Sequence, residues 1–249
     1  MMAFIKKNLW FIIFLSVFGL VGGYFTGIYT VQSTDPELLE EAIAQLGSAD
    51  LIAVITAFQA LGYALFCGLV GRLIAEKIGL WRKFTFELRP VLLTALFSII
   101  GGGVLMLSDI FFFCNFSDVI RDSYLARPTV EYILASLTYG GVIEEVMLRL
   151  FFMSLVAFLL MKLSRKDTPS TAQLVLANVA SAMIFAAGHL PATALMMGLT
   201  PMIIFRCFLL NGGIGLLFGY LYRKHGLGYA MLAHVGVHLV SKAIWILLI

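Results

Sequence analysis

Residues 130–160 read VEYILASLTYGGVIEEVMLRLFFMSLVAFLL, an apolar run long enough to cross a bilayer, with Glu144 and Glu145 side by side near its centre. A carboxylate in the middle of a membrane helix costs about 2.5–3.5 kcal/mol on insertion scales, so an adjacent pair implies a use. The stretch therefore reads as a membrane helix that carries chemistry, and the rest of the chain as what surrounds it.

The composition supports that reading. Of 249 residues, 61% are hydrophobic and 12% charged, and the mean hydropathy is +0.99. Soluble domains run at about 45–50% apolar and about 25% charged. A transmembrane β-barrel would alternate in short segments, whereas these runs are continuous. Apolar runs near 9–30, 51–74, 91–116, 130–161, 171–190, 197–221 and 227–248 predict an all-α, polytopic bundle of about seven membrane spans. It forms one membrane domain over residues 1–249, with no internal repeat and no soluble module. The first run follows Lys6 and Lys7, is longer than a signal-peptide core and lacks an A-x-A-like cleavage site, so it is expected to be a retained helix. A net charge of +3 without a basic tract argues against nucleic acid as a partner. Cys67, Cys114 and Cys207 lack metal-type spacing and read as packing residues.

Loop charge predicts the topology. Lys6 and Lys7, then Arg72, Lys77, Arg82, Lys83 and Arg89, then Lys162, Arg165 and Lys166, then Arg223 and Lys224 fall on one side of seven alternating helices. The acidic first loop, from Asp35 to Asp50, falls on the other, where Arg121 and Arg127 are a minor exception. The positive-inside rule then puts the N-terminus in the cytosol. Short loops and the basic residues before the first span suit a bacterial inner membrane. The acidic loop is compatible with an interfacial helix over Leu38, Leu39, Ile43 and Leu46, or with a solvated segment. Gly101-Gly102-Gly103 is expected to permit a kink or close helix approach, and Gly215 with Gly219 forms a small-xxx-small packing face.

The ionisable residues deep in the runs are Glu144, Glu145, Arg149, His189, Arg206, His234 and His238, with Lys242 nearer an end where it can snorkel. Glu145 and Arg149 are four apart and share a helix face, which reads as a structural ion pair. Glu144 points about 100° away and needs another partner, for which the histidines are available. His234 and His238 also share a face. His189 follows Gly188, which would admit a neighbouring helix close to the imidazole, and precedes Pro191; it reads equally as a water-facing helix-end residue. His225, in a basic loop, is assigned no role. A carboxylate with two or three imidazoles can activate water for hydrolysis, and two His with one Glu is also a catalytic zinc ligand set. No G-x-S-x-G or H-E-x-x-H element is present, which argues against an elbow-type serine hydrolase and a zincin.

Taken in order, Glu144-Glu145-x-x-x-Arg149, Phe185-x-x-x-His189 and His234-x-x-x-His238, with residues 211–222 before the last motif, resemble the CPBP intramembrane protease family. That family includes type II CAAX prenyl proteases and the bacterial Abi proteins. The resemblance covers about residues 130–240. It implies an intramembrane endopeptidase whose partners are a bilayer and a membrane-associated peptide or protein. Glu144 would activate water, supported by Glu145 and Arg149. His189 would orient the water, and His234 would stabilise the oxyanion or bind metal. The family leaves zinc, held by Glu144, His189 and His234, and a metal-free mechanism both open. His238 stands where the family usually has Asn or Asp, and could donate a hydrogen bond as Asn does, add a metal ligand, or mark a weakened member. The alternatives are an inactive scaffold or immunity protein of the same fold, and a proton-coupled transporter, for which the missing inverted repeat is unfavourable.

Overall fold

The computed structural model describes residues 2–248; Met1, Ile249 and the side chains of residues 2–5 and Lys7 lie outside the described residues, and with them the ends of the expected domain and one expected flanking charge. Among the described residues the chain is all-helical. Seven helical stretches are long and apolar enough to span a membrane: Asn8–Ser33, Ala49–Lys77, Leu88–Asn115, Val130–Leu163, Thr171–Met197, Pro201–His225 and Leu227–Leu248. The elements are α1 (Met2–Ser33), α2 (Pro36–Leu46), α3 (Ala49–Lys77), α4 (Leu88–Phe111), α5 (Asp118–Ser123), α6 (Val130–Ala135), α7 (Ser154–Leu163), α8 (Thr171–Gly188), α9 (Leu190–Met197), α10 (Pro201–Cys207), α11 (Gly213–His225) and α12 (Leu227–Leu248).

Two spans depart from regular α geometry. Between α6 and α7 the backbone is π-helical over Ser136–Glu144 and Val146–Met153, and between α10 and α11 over Phe208–Gly212. Such wide turns concentrate at functional sites, and here they flank the two glutamates. These two spans are also the most buried, at 39% and 44% of their apolar windows. The fourth lies at the centre: its π segments pack against α1, α3, α8, α11 and α12.

In lipid there is little hydrophobic gain from joining helices, so close backbone contact and interhelical hydrogen bonds hold the bundle. α1 presents Gly19, Gly23 and Gly27, at spacing four, to the small face Ala53, Ala57, Ala60 and Ala64 of α3. A Cβ at Gly23 would lie 2.7 Å from the Ala57 Cα, so a larger residue there separates the pair. Gly101 and Gly102 likewise admit Val237 and Val240 of α12 while α4 continues unbroken, so that motif serves close approach. Gly215 and Gly219 face Phe185 and Asn178 inside the bundle. Ser154 bonds Tyr222 at 2.6 Å, and Ser181 donates to the Leu148 carbonyl at 2.8 Å. Large apolar side chains such as Phe58, Phe66, Leu92 and Ile99 are exposed on the outer faces, as lipid contact requires.

The loop contacts bear out the predicted alternation. Tyr229, just past the sixth loop, donates to the Thr85 carbonyl and accepts from the Glu87 amide of the second. Lys77 and Lys162, at the second and fourth loops, both lie over the Phe158 ring. On the opposite side Tyr29 stacks on Tyr132, and Arg121 is paired with Asp118 at 2.6 Å. The acidic loop is helical: Asp35 caps α2, and none of its residues is buried. The fifth span ends later and the sixth begins later than expected. Helix geometry resumes after the break at His189, where Pro191 opens α9, and stops only at Gly198 (φ 70°); Thr200 then caps α10 with Pro201 in its first turn.

Candidate active site

The two glutamates occupy different environments. Glu145 is fully buried, and its Oε1 lies 3.1 Å from Arg149 Nη1 and 2.9 Å from His234 Nδ1. Arg149, also fully buried, donates from Nη2 to the Gly215 carbonyl at 2.8 Å and lies over the rings of Phe185 and Phe218. Gly215 leaves room for this, since a Cβ there would lie 2.9 Å from the guanidinium. The expected Glu145–Arg149 pair is therefore present, and His234 joins it as a third member.

Glu144 is half-buried and faces a different space. Its Oε2 lies 4.0 Å from His234 Nε2, too far for a direct hydrogen bond. His234 thus connects the carboxylates, one nitrogen on Glu145 and the other toward Glu144. Its ring stacks between Phe218 (4.4 Å between centroids) and His238 (4.9 Å), which fixes its plane.

Gly140 opens the space in front of Glu144. A Cβ there would lie 2.9 Å from His238 Nε2 and 3.8 Å from Glu144 Oε2, so both atoms border the room a larger side chain would fill. At the neighbouring Gly141 a Cβ would lie 3.2 Å from the Val235 Cα, which lets α12 approach closely enough to deliver both histidines. Lys242 does not snorkel outward as expected. It is 5% exposed and turned inward, its Nζ over the Tyr132 ring (4.3 Å) and 3.4 Å from His238 Nδ1.

His189 sits at the joint between α8 and α9. Its Nδ1 donates to the Phe185 carbonyl at 2.8 Å, which leaves Nε2 as an acceptor in the neutral ring. The Phe185 ring contacts both His189 and His234 edge-on, and it stands between the two in the chain of ring contacts. No helix packs on Gly188, where an added Cβ would meet open space; Pro191 redirects the chain there instead.

Zinc in a three-ligand protein site takes bonds of about 2.0–2.2 Å. Among the described residues no group of three or more His, Cys, Asp or Glu is placed to hold a metal ion, so Glu144, His189 and His234 are not brought together as a ligand set. His225 lies at the end of α11 in ring contact with Tyr229, and the three cysteines are free.

Residues 127–240 match the family model Rce1-like, type II CAAX prenyl endopeptidase. The matched segment belongs to the CPBP/CAAX protease family. It contains Glu144, Glu145, Arg149, His189, His234 and His238, all but one of which converge around the α12 histidines. No curated protein and no solved structure matches the chain. With seven spanning helices and a segment of this protease family, the chain is an integral multi-pass membrane protein, and the family implies a lipid bilayer and a protein substrate.

The sequence reading missed two residues, Gly140 and Asp109, and misread a third, Lys242. Gly140 lies four residues before Glu144 and therefore on its face. Lys242 continues the 234–238 spacing by four more. Asp109, in an apolar run, has the same energetic signature as Glu144; it is fully buried and held by Arg206 at 2.6 and 2.5 Å and by the Tyr124 hydroxyl.

Proposed function

We propose that this chain is an intramembrane endopeptidase that hydrolyses a peptide bond of a membrane-associated peptide or protein with water activated by Glu144. The observation that carries the reading is the 4.0 Å gap between Glu144 Oε2 and His234 Nε2, within the family-matched segment, with His234 anchored through its other nitrogen on Glu145. One water beside that gap reaches both atoms with a hydrogen bond.

The chemistry needs only groups already present. Glu144 takes a proton from the water as its oxygen attacks the scissile carbonyl carbon. The Nε2 lone pair of His234, across the gap from Glu144, accepts the water's other hydrogen and orients it; His189, on the far side of the Phe185 ring, takes no part in this step. The oxyanion of the tetrahedral intermediate takes a hydrogen bond from the His238 Nε2–H, in the place of the family's usual Asn or Asp. Collapse breaks the C–N bond, and the proton on Glu144 passes to the leaving amine. Glu145 and Arg149 hold the His234 ring in place, and the surrounding apolar helices limit bulk water. The reading takes the water as activated by Glu144 alone, with zinc on Glu144, His189 and His234 as the alternative that elemental analysis decides. The basic loops are assigned to the cytosolic side of a bacterial inner membrane, with the N-terminus there.

The test is cleavage of a pool of membrane-anchored peptides by protein reconstituted in liposomes, with products identified by mass spectrometry. Wild type should release internal fragments, and Glu144→Gln should lose cleavage by about 10²–10⁴-fold while inserting normally. Equal cleavage by the two would refute the assignment. Elemental analysis of active protein should find no stoichiometric zinc; one equivalent of zinc, lost in His234→Ala, would replace the metal-free mechanism with a metal one.

A further inference from the structure

We infer that Lys242 is a positioning residue that sets the proton on the His238 ring, so that the Nε2–H is presented to the space beside Glu144; this rests on the protease reading for its functional meaning. In its charged form Lys242 has donors and no acceptor, so the ring nitrogen that faces it then offers a lone pair. Lys242 Nζ lies 3.4 Å from His238 Nδ1. In the neutral ring the proton therefore resides on Nε2, the atom that borders the room left by Gly140 together with Glu144 Oε2.

Of the two residues that the resembled family usually has at the position of His238, Asn or Asp, Asn presents an N–H by virtue of its covalent structure. An imidazole presents one at a given atom only if something chooses the tautomer. The other groups around His238 do not make that choice. His234 contacts it through ring stacking, which leaves both edge nitrogens of His238 unconstrained. The Ser241 hydroxyl donates to the His238 backbone carbonyl and leaves the ring alone. Tyr132, the other partner of Lys242, offers its ring face to the cation and holds the ammonium in place. The stripe His234, His238 and Lys242 on α12 thus gives the departure from Asn its own compensation. The opposite tautomers follow on His189 and neutral His234, whose Nδ1 atoms meet the Phe185 carbonyl and the Glu145 carboxylate.

The test uses the full chain in liposomes and two readouts. Nitrogen NMR of 15N-histidine-labelled protein, with His238 assigned by loss of its signals in His238→Asn, should show the proton on Nε2 in wild type and Lys242→Arg, and a mixture in Lys242→Met. Met matches the stem of Lys in shape and removes only the ammonium, so the fold should persist. A proton on Nδ1 in wild type, or no change in Lys242→Met, overturns the inference whether or not the protein cleaves peptides. In the cleavage assay Lys242→Met should lower kcat about 10–100-fold with little change in KM, less than the 10²–10³ of deleting an oxyanion donor, because part of the population keeps the correct tautomer. Lys242→Arg should restore most of the rate. In the His238→Asn background the same Lys242→Met change should cost less than about twofold, since no tautomer remains to set. An equal loss in both backgrounds would make Lys242 a structural residue and overturn the inference. Absence of cleavage by wild type alongside the stated NMR result would refute the protease reading and leave the tautomer assignment standing.

Discussion

Two buried ionic clusters sit in this bundle and are built to opposite ends. At one, Arg206 reaches both oxygens of Asp109, and the Tyr124 hydroxyl adds a further bond, so the carboxylate is engaged on every side. At the other, Glu145 is fixed by Arg149 and His234, while its neighbour Glu144 keeps some exposure, and among the described residues its nearest charged approach is His234 at 4.0 Å. The first ties α4, α10 and the loop after α5 together beside a small apolar core of Phe113, Ile120, Ile203 and Leu210. The second leaves one carboxylate facing a space kept clear by Gly140. Burial of charge alone therefore does not mark a site; a carboxylate left short of partners does.

That contrast can be broken at several points. Asp109→Ala leaves Arg206 buried without its counter-charge and should lower stability by about 3–5 kcal/mol, read as a drop in the thermal midpoint in detergent, with cleavage per folded molecule largely kept. Loss of cleavage at an unchanged midpoint would make the two clusters functionally alike. Gly140→Ala should do the reverse. The added methyl displaces the His238 ring, and a misplacement of about 1 Å can cost about 10²-fold in rate, while the midpoint moves little. A fully active Gly140→Ala protein would remove the shared space from the account. The smallest effect belongs to Tyr124. Burial, then the charge of Asp109, pushes its phenol above the ordinary value of 10.0. The folded protein keeps that proton where the unfolded chain loses it, so this contribution is complete below pH 10 and declines as pH rises beyond it. Tyr124→Phe should cost about 1 kcal/mol at neutral pH and flatten the alkaline loss of stability. An alkaline slope identical to wild type would contradict the assignment.

Much of this was legible in the sequence, and the residues show why. The seven spans were readable because each apolar run exceeds what a soluble core helix needs. Their ends were less so: capping by Thr200 and the positive φ of Gly198 decide where α9 stops and α10 starts, against an apolar sequence that continues through both. Glu145 with Arg149 was readable because the pair is local, four apart on one helix. The bond from His234 to Glu145 spans 89 residues, and no periodicity encodes it. Motif order along the chain stood in for that missing geometry, and Glu144, His234 and His238 lie near one another in the bundle. Lys242 was misread as snorkelling because sequence position gives depth along a helix and says nothing of a Tyr132 ring waiting on another one.

The central claim is that adjacent glutamates have separate work, Glu144 in chemistry and Glu145 in holding His234 and Arg149. Parallel measurement of kcat and thermal midpoint for Glu144→Gln and Glu145→Gln tests it most directly. Glu144→Gln should lose about 10²–10⁴-fold in kcat at an unchanged midpoint. Glu145→Gln should lower the midpoint markedly, because it uncouples a fully buried guanidinium from its charge. A Glu145→Gln protein that is inactive at the native midpoint, beside a Glu144→Gln protein that still cleaves, would contradict the account.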